Sequence, residues 1–100
     1  MNSTKYRISR QAIKDLNNIW LYTFKKWSKE QADHYYDLII NEIRFIADNF
    51  FTGKSVEQTR KNYRVTKIKS HLIFYRKVEN DTIEIVRILH QRMDIKKRLK

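Results

Sequence analysis

The chain predicts an α+β fold, a two-helix hairpin packed on a mainly antiparallel sheet in the order β-α-α-β-β-β, with a short C-terminal tail. Three observations predict it. Two apolar stripes at helical spacing abut at Trp27-Ser28 with almost no loop between them. Three β-rich segments follow, separated by breaks too short for anything but antiparallel neighbours. A further short β-rich segment precedes the first helix. A helical hairpin laid across one sheet face buries both stripes.

Lys5 to Ile8 is the first strand candidate. Ser9 then offers an N-cap whose hydroxyl accepts from an otherwise unpaired amide of the first turn. Ala12, Ile13, Leu16, Ile19, Trp20, Phe24 and Trp27 form the first stripe. Ser28 opens the second helix, and Gln31 three residues on completes a capping box. Its stripe runs through Ala32, Tyr35, Tyr36, Ile39, Ile43, Ile46, Ala47 and Phe50. Phe51 to Asn62 reads as one long connection. The meander strands are then 63–68, 71–78 and 82–89, with Ser70 in the first break and Glu79-Asn80-Asp81 supplying turn chemistry in the second. Ile83, Ile85, Val86, Ile88 and Leu89 make the last strand nearly continuously apolar, which suits a central strand covered on both faces. The expected core is Trp20, Ile39, Ile43, Phe74 and Ile85, and most aromatic residues are placed in it by default, although there are more of them than one side of the hairpin can hide.

Residues 1–100 read as a single domain. The sequence has no cysteine, which removes disulfides and thiolate metal sites and favours a reducing compartment. There is neither a signal-peptide h-region nor an apolar run near the ~20 residues a membrane helix needs, so a cytoplasmic protein without membrane contact is expected. The net charge of +11 is uneven. Residues 1–50 hold eight Lys/Arg against six Asp/Glu, whereas residues 51–100 hold fourteen against five. A one-sided electropositive face follows, attractive to acidic proteins or nucleic acid.

Some motifs fail on inspection. Thr52-Gly53-Lys54-Ser55 looks like the end of a phosphate-binding loop, but Asp48 stands where the earlier glycine belongs and no strand precedes it. His34, His71 and His90 lie too far apart for a metal site, and no metal or cofactor is expected. His34 reads as a surface residue and His71 as structural. His90, beside Arg92 and near Arg87, suits either a general acid or base or a buried hydrogen-bonding role. Arg64, Arg76 and Arg87 fall one in each meander segment. They suit phosphate stabilisation, bidentate anchoring of a partner's carboxylates, or plain structure, Arg87 pairing with a helix carboxylate such as Asp15. Leu21, Leu38, Ile40 and Phe45 lie off the stripes, an apolar surplus of the kind that marks an interface.

With these residues in view, the chain resembles the ParE branch of the RelE/ParE toxin superfamily over nearly its whole length. The matching pieces are Tyr6-Arg7-Ile8-Ser9 with Ala12 and Asp15-Leu16, Ile19-Trp20 with Tyr22-Thr23, and Trp27 to Ala32 with Tyr35-Tyr36. They continue through Gly53 with Ser55, Tyr63-Arg64, His71 to Arg76, and Ile85 to His90 with Arg92-Met93-Asp94. Two departures stand out: Phe50-Phe51 replaces a proline common in the family, and no tyrosine follows Tyr75. The second argues against the RelE-type ribonuclease arrangement. The resemblance implies a toxin of a type II toxin–antitoxin pair, not an enzyme, that inhibits DNA gyrase by binding. A ParD-like antitoxin would neutralise it, and sequence-specific nucleic-acid binding is not expected. The alternative is a RelE-like ribosome-dependent mRNA endonuclease using His90, Arg87 and Arg64. Arg64, Arg76, Arg87, His90 and Arg92 are the expected target-binding cluster, at one end of the sheet's basic face. Leu21, Leu38, Ile40 and Phe45 are the expected antitoxin surface.

Overall fold

A computed structural model describes residues 5–56 and 61–99. The elements are β1 (Tyr6–Ile8), α1 (Arg10–Lys26), α2 (Lys29–Asp48), a 3-10 turn (Phe50–Thr52), β2 (Lys54–Ser55), β3 (Arg64–Ile68), β4 (His71–Lys77), β5 (Ile83–His90) and α3 (Ile95–Arg98). The sheet order is β1-β5-β4-β3-β2. β1 runs parallel to β5, and every other pair is antiparallel. The predicted fold class is therefore the observed one, with one added strand. Lys54 and Ser55 lie inside the stretch expected to be a plain connection, yet they pair with Val65 and Arg64. Two residues carry no periodicity, so only the neighbouring strand reveals them.

Both helix starts follow the capping signals. Ser9 Oγ accepts from Ala12 N at 3.0 Å and donates to the Val86 carbonyl at 2.8 Å, stitching the β1–α1 corner to β5. Ser28 Oγ accepts from Gln31 N at 3.1 Å. Only Trp27 and Ser28 separate the helices.

The main core lies between the hairpin and the sheet. It gathers Leu16, Ile39, Ile43 and Ile46 from the helices with Ile73, Tyr75, Ile83, Ile85 and Ile88 from the strands. A second, smaller core on the opposite sheet face joins Tyr63, Phe74 and Leu89 to Leu99, with Ile95 packed against it. The tail is thus a one-turn helix lying on the outer face, capped by Asp94 Oδ1 accepting from Lys97 N. This covering is why β5 is apolar on both sides. A register shift between Phe74 and Tyr75 places Arg87 opposite Phe74 and Ile85 opposite Tyr75, leaving Val86 as the extra residue of a bulge.

Of the five expected core residues, Ile39, Ile43, Phe74 and Ile85 are buried. Trp20 is the exception. It sits half-buried at the rim, stacked on Phe24 at 5.2 Å, with its indole N–H donating to Asp33 Oδ1 at 2.9 Å. An indole N–H needs a polar partner, and that partner lies at the edge of the helix pair. The default placement of most aromatics in the core fails for several of them. Phe24, Trp27, Tyr36 and Phe51 are exposed, as is Phe45, which its off-stripe position already places at the surface. Isoleucines from the helices fill most of the inner face, and the buried rings, Tyr63, Phe74 and Tyr75, come from the sheet half of the chain.

Gly53 is required for space rather than for backbone freedom. A Cβ there would collide with the Tyr75 hydroxyl and lie 2.8 Å from the Val65 carbonyl. Tyr75, fully buried, donates to the Phe50 carbonyl at 2.7 Å and accepts from Gly53 N at 3.1 Å.

Asp15 and Arg87 join α1 to β5. Arg87 Nε and Nη2 donate to Asp15 at 2.8 and 2.9 Å, and Ile88 N donates to the same carboxylate at 2.9 Å. Both side chains are largely buried, 11% and 15% exposed. Asp15→Ala is therefore expected to cost about 3 kcal/mol, because it strands a desolvated guanidinium. Ile43→Ala should cost roughly 2–5 kcal/mol through a cavity. Urea unfolding measures both.

Candidate functional site

The five residues expected to form one target-binding cluster are not brought together. β4 runs from His71, opposite His90, to Lys77, opposite Ile83. Arg64 and Arg76 lie toward the second of these ends, His90 at the first and Arg92 beyond it. The two arginines also face opposite ways. Arg64, opposite buried Tyr75, turns toward the 3-10 turn and donates to the Phe51 and Gly53 carbonyls. Its guanidinium lies 5.4 and 5.2 Å from the Phe50 and Phe51 rings, and its Nε is buried with no partner among the described residues. Arg76 sits on the outer face, paired with Glu84 at 2.8 Å. Arg87 lies between the ends, engaged by Asp15, whose hydrogen bonds hold its pKa above the usual value. Strand alternation and the bulge at Val86 separate these side chains, because each residue of register reverses the face.

The expected apolar surplus divides as well. Leu21 and Phe45 are exposed, Leu38 is half-buried, and Ile40 packs against the main core. Exposure extends beyond these four. Ile13 and Phe24 on the first hairpin arm, Trp27 at the bend and Tyr36 on the second arm are open as well. On α1, Ile13, Trp20, Leu21 and Phe24 recur at helical spacing. On α2, Leu38 and Phe45 stand seven residues apart, on a common strip.

What the structure does bring together is a group around the His71–His90 pair. The two rings meet edge to face at 5.2 Å. His71 Nδ1 lies 2.7 Å from the Tyr35 hydroxyl, which donates to the Ile68 carbonyl at 3.2 Å. His90 Nδ1 accepts from Arg92 N at 3.1 Å. Burial drives the His71 pKa down to about 4, with neighbouring His90 adding to the effect and Asp15 opposing it. His71 is thus neutral at physiological pH and held by both neighbours. Burial likewise raises the Tyr35 pKa.

Two clefts open beside this pair. One, of about 680 Å³, lies between the hairpin bend and the β3–β4 turn. The other, of about 630 Å³, lies between α1 and the tail, and the two share Tyr22, His71 and His90. Tyr22, Tyr35, Lys26 and Lys69 were not among the expected site residues. The meander register alone pairs the first residue of β4 with the last of β5, so the sequence already carries the signal that sets His71 beside His90. It carries no such signal for the helix residues, since their approach depends on how the hairpin docks. Among the described residues, no group of three or more His, Cys, Asp or Glu is placed to hold a metal ion, and no helix is long and apolar enough to cross a membrane.

A helical hairpin on a five-stranded mixed sheet, with a basic C-terminal half, defines a small α+β domain. A family profile for the ParE toxin of type II toxin-antitoxin system, parDE, matches residues 6–95. ParE1 of Mycobacterium tuberculosis is 36% identical over 97 residues, covering 97% of this chain and 99% of the relative. ParE1 of Caulobacter vibrioides is 38% identical, covering 94% and 96%. A solved chain of the chromosomal ParDE TA system from P. aeruginosa superposes with a TM-score of 0.75 at 20% identity, covering 88% of this chain and 96% of that one, a likeness of fold. The chain belongs to the ParE toxin family of type II toxin–antitoxin systems.

The His71 environment predicts an acid-side stability slope. Unfolded histidine takes its proton near pH ~6.5, whereas folded His71 resists protonation until about pH 4. Between those values the unfolded chain holds more protons, so stability falls as pH drops through that window. His71→Gln should flatten this part of the profile in thermal melts recorded from pH 7 to pH 4.

Proposed function

We propose that this toxin acts by binding DNA gyrase, without a catalytic site of its own, and that a ParD-like antitoxin holds it inactive through the exposed hairpin. The observation that carries the binding reading is the engagement of the three strand arginines. Arg64 serves backbone carbonyls, Arg76 serves Glu84 and Arg87 serves Asp15. These are the cations that an mRNA-cleaving site built on His90, Arg87 and Arg64 would need to converge on one phosphate. They point to different neighbours instead.

Purified toxin added to a supercoiling reaction should inhibit gyrase or trap cleaved DNA. In a translating extract it should leave mRNA intact. Codon-positioned mRNA cuts with normal gyrase activity would establish the endonuclease alternative. In the same assays, His90→Ala and Arg92→Ala should abolish inhibition while leaving the fold and antitoxin affinity unchanged.

The antitoxin reading rests on apolar side chains exposed on both hairpin arms alongside a net charge of +11. An amphipathic acidic helix meets both demands. Charge attraction makes association fast, and burial of the apolar strips makes release slow. In ~0.5 M salt, where the Debye length falls to roughly 4 Å, association should slow far more than dissociation accelerates. Leu21→Asp with Phe24→Asp, both at exposed positions, should raise the dissociation rate at least tenfold in surface plasmon resonance. A complex that salt alone dissolves would make the interface chiefly electrostatic.

A further inference from the structure

The two clefts that meet at Tyr22, His71 and His90 form one groove along the exposed side of α1. Gln11, Lys14, Asn18, Tyr22 and Lys26 follow one another at helical spacing on its wall. At 1.5 Å per residue this wall is about 22 Å long. Neutral His71, His90 and Ile88 contribute to the groove's middle, and Lys69 and Arg98 stand at its other borders.

The chemistry of the lining is selective. Asp15 is the one carboxylate among the described lining residues, and Arg87 and the Ile88 amide occupy it. The bordering lysines are therefore not neutralised by any acid of the groove. Two rings are bare to solvent, Tyr22 at 62% and Trp27 at 68% exposure. Lys26 Nζ donates to the Tyr22 hydroxyl at 3.1 Å and lies 5.5 Å from its ring centroid, which holds the phenol beside a cation. Amides at Gln11, Asn18 and Gln31 supply donors and acceptors together.

We propose that this groove binds single-stranded nucleic acid without sequence preference, its lysines tracking the phosphates and Tyr22 and Trp27 offering stacking faces. Aromatic faces alternating with cations along a groove are how such strands are held. An acidic peptide would use the lysines but gain little from amide acceptors and open ring faces. The proposal goes beyond toxin action on gyrase and requires neither gyrase nor antitoxin, so each can fail without the other.

The test is fluorescence anisotropy of a labelled ten-residue oligothymidylate with the full-length chain at several salt concentrations. Lys14→Ala, Lys26→Ala and Lys69→Ala combined should weaken binding at least tenfold. They should also lower the log–log salt slope by about 2, three phosphate contacts at ~0.7 each. Tyr22→Ala should weaken it about tenfold, as loss of one stacking face requires, and should do so at high salt as well. Lys54→Ala with Lys77→Ala, at the far end of the sheet, is the charge control and should change affinity less than threefold. Circular dichroism confirms folding of each variant. Equal weakening by the far-end pair would reduce the effect to general charge and overturn the proposal. So would an unchanged affinity in Tyr22→Ala, no saturable binding at low salt, or displacement by polyglutamate as effective as by unlabelled oligothymidylate.

Discussion

The Asp15 carboxylate is the point on which the arrangement of this toxin depends. It receives three donors, two from Arg87 and one from the Ile88 amide, and Arg87 passes a fourth hydrogen bond on to the Arg98 carbonyl. One buried ionic contact thereby ties α1, the distorted part of β5 and the C-terminal tail. Removing either partner leaves a charge in a place that water reaches poorly, which is why such a pair defines a geometry more firmly than its net stabilisation indicates. The bulge at Val86 belongs to the same construction. It breaks the β4–β5 ladder there, and Ser9 donates to the Ile85 and Val86 carbonyls with its amide and hydroxyl.

The sheet is consequently dressed on both sides, but unequally. Isoleucine-rich helix faces fill the inner side. The outer side carries only a small cluster closed by Ile95 and Leu99. This asymmetry leaves the hairpin free to present large rings outward. Phe51, 75% exposed, and Trp27 occupy the two bends that flank α2, where packing makes the least demand on them. In a chain with such a charge, rings left open at bends and strips are surfaces for other molecules.

At the far end of the sheet from Arg64, the His71–His90 contact is held by backbone and side-chain hydrogen bonds rather than by charge. Tyr35 and the Arg92 amide orient the two imidazoles, and burial keeps His71 uncharged. The pair is an aromatic floor between two clefts. Family membership, settled by similarity along nearly the whole chain, says that the protein is a toxin.

Local chemistry determined much of the fold. Ser9 and Ser28 announced the helix starts, the Trp27-Ser28 junction announced the hairpin, and the short breaks at Ser70 and Glu79–Asp81 announced the meander. Each is a contest between neighbours in sequence, decided by capping and turn preferences within a few residues. The pairing of Arg87 with Asp15 was legible as one of several readings, because a cation on a buried strand needs a carboxylate nearby. Tertiary structure alone decided the rest: the edge strand Lys54–Ser55, the rim position of Trp20, the dispersal of the arginines, and the groove beside α1. These depend on register and docking. A single bulge residue turns every later side chain of a strand to the opposite face, and no periodicity within the strand records where the partner strand will force it.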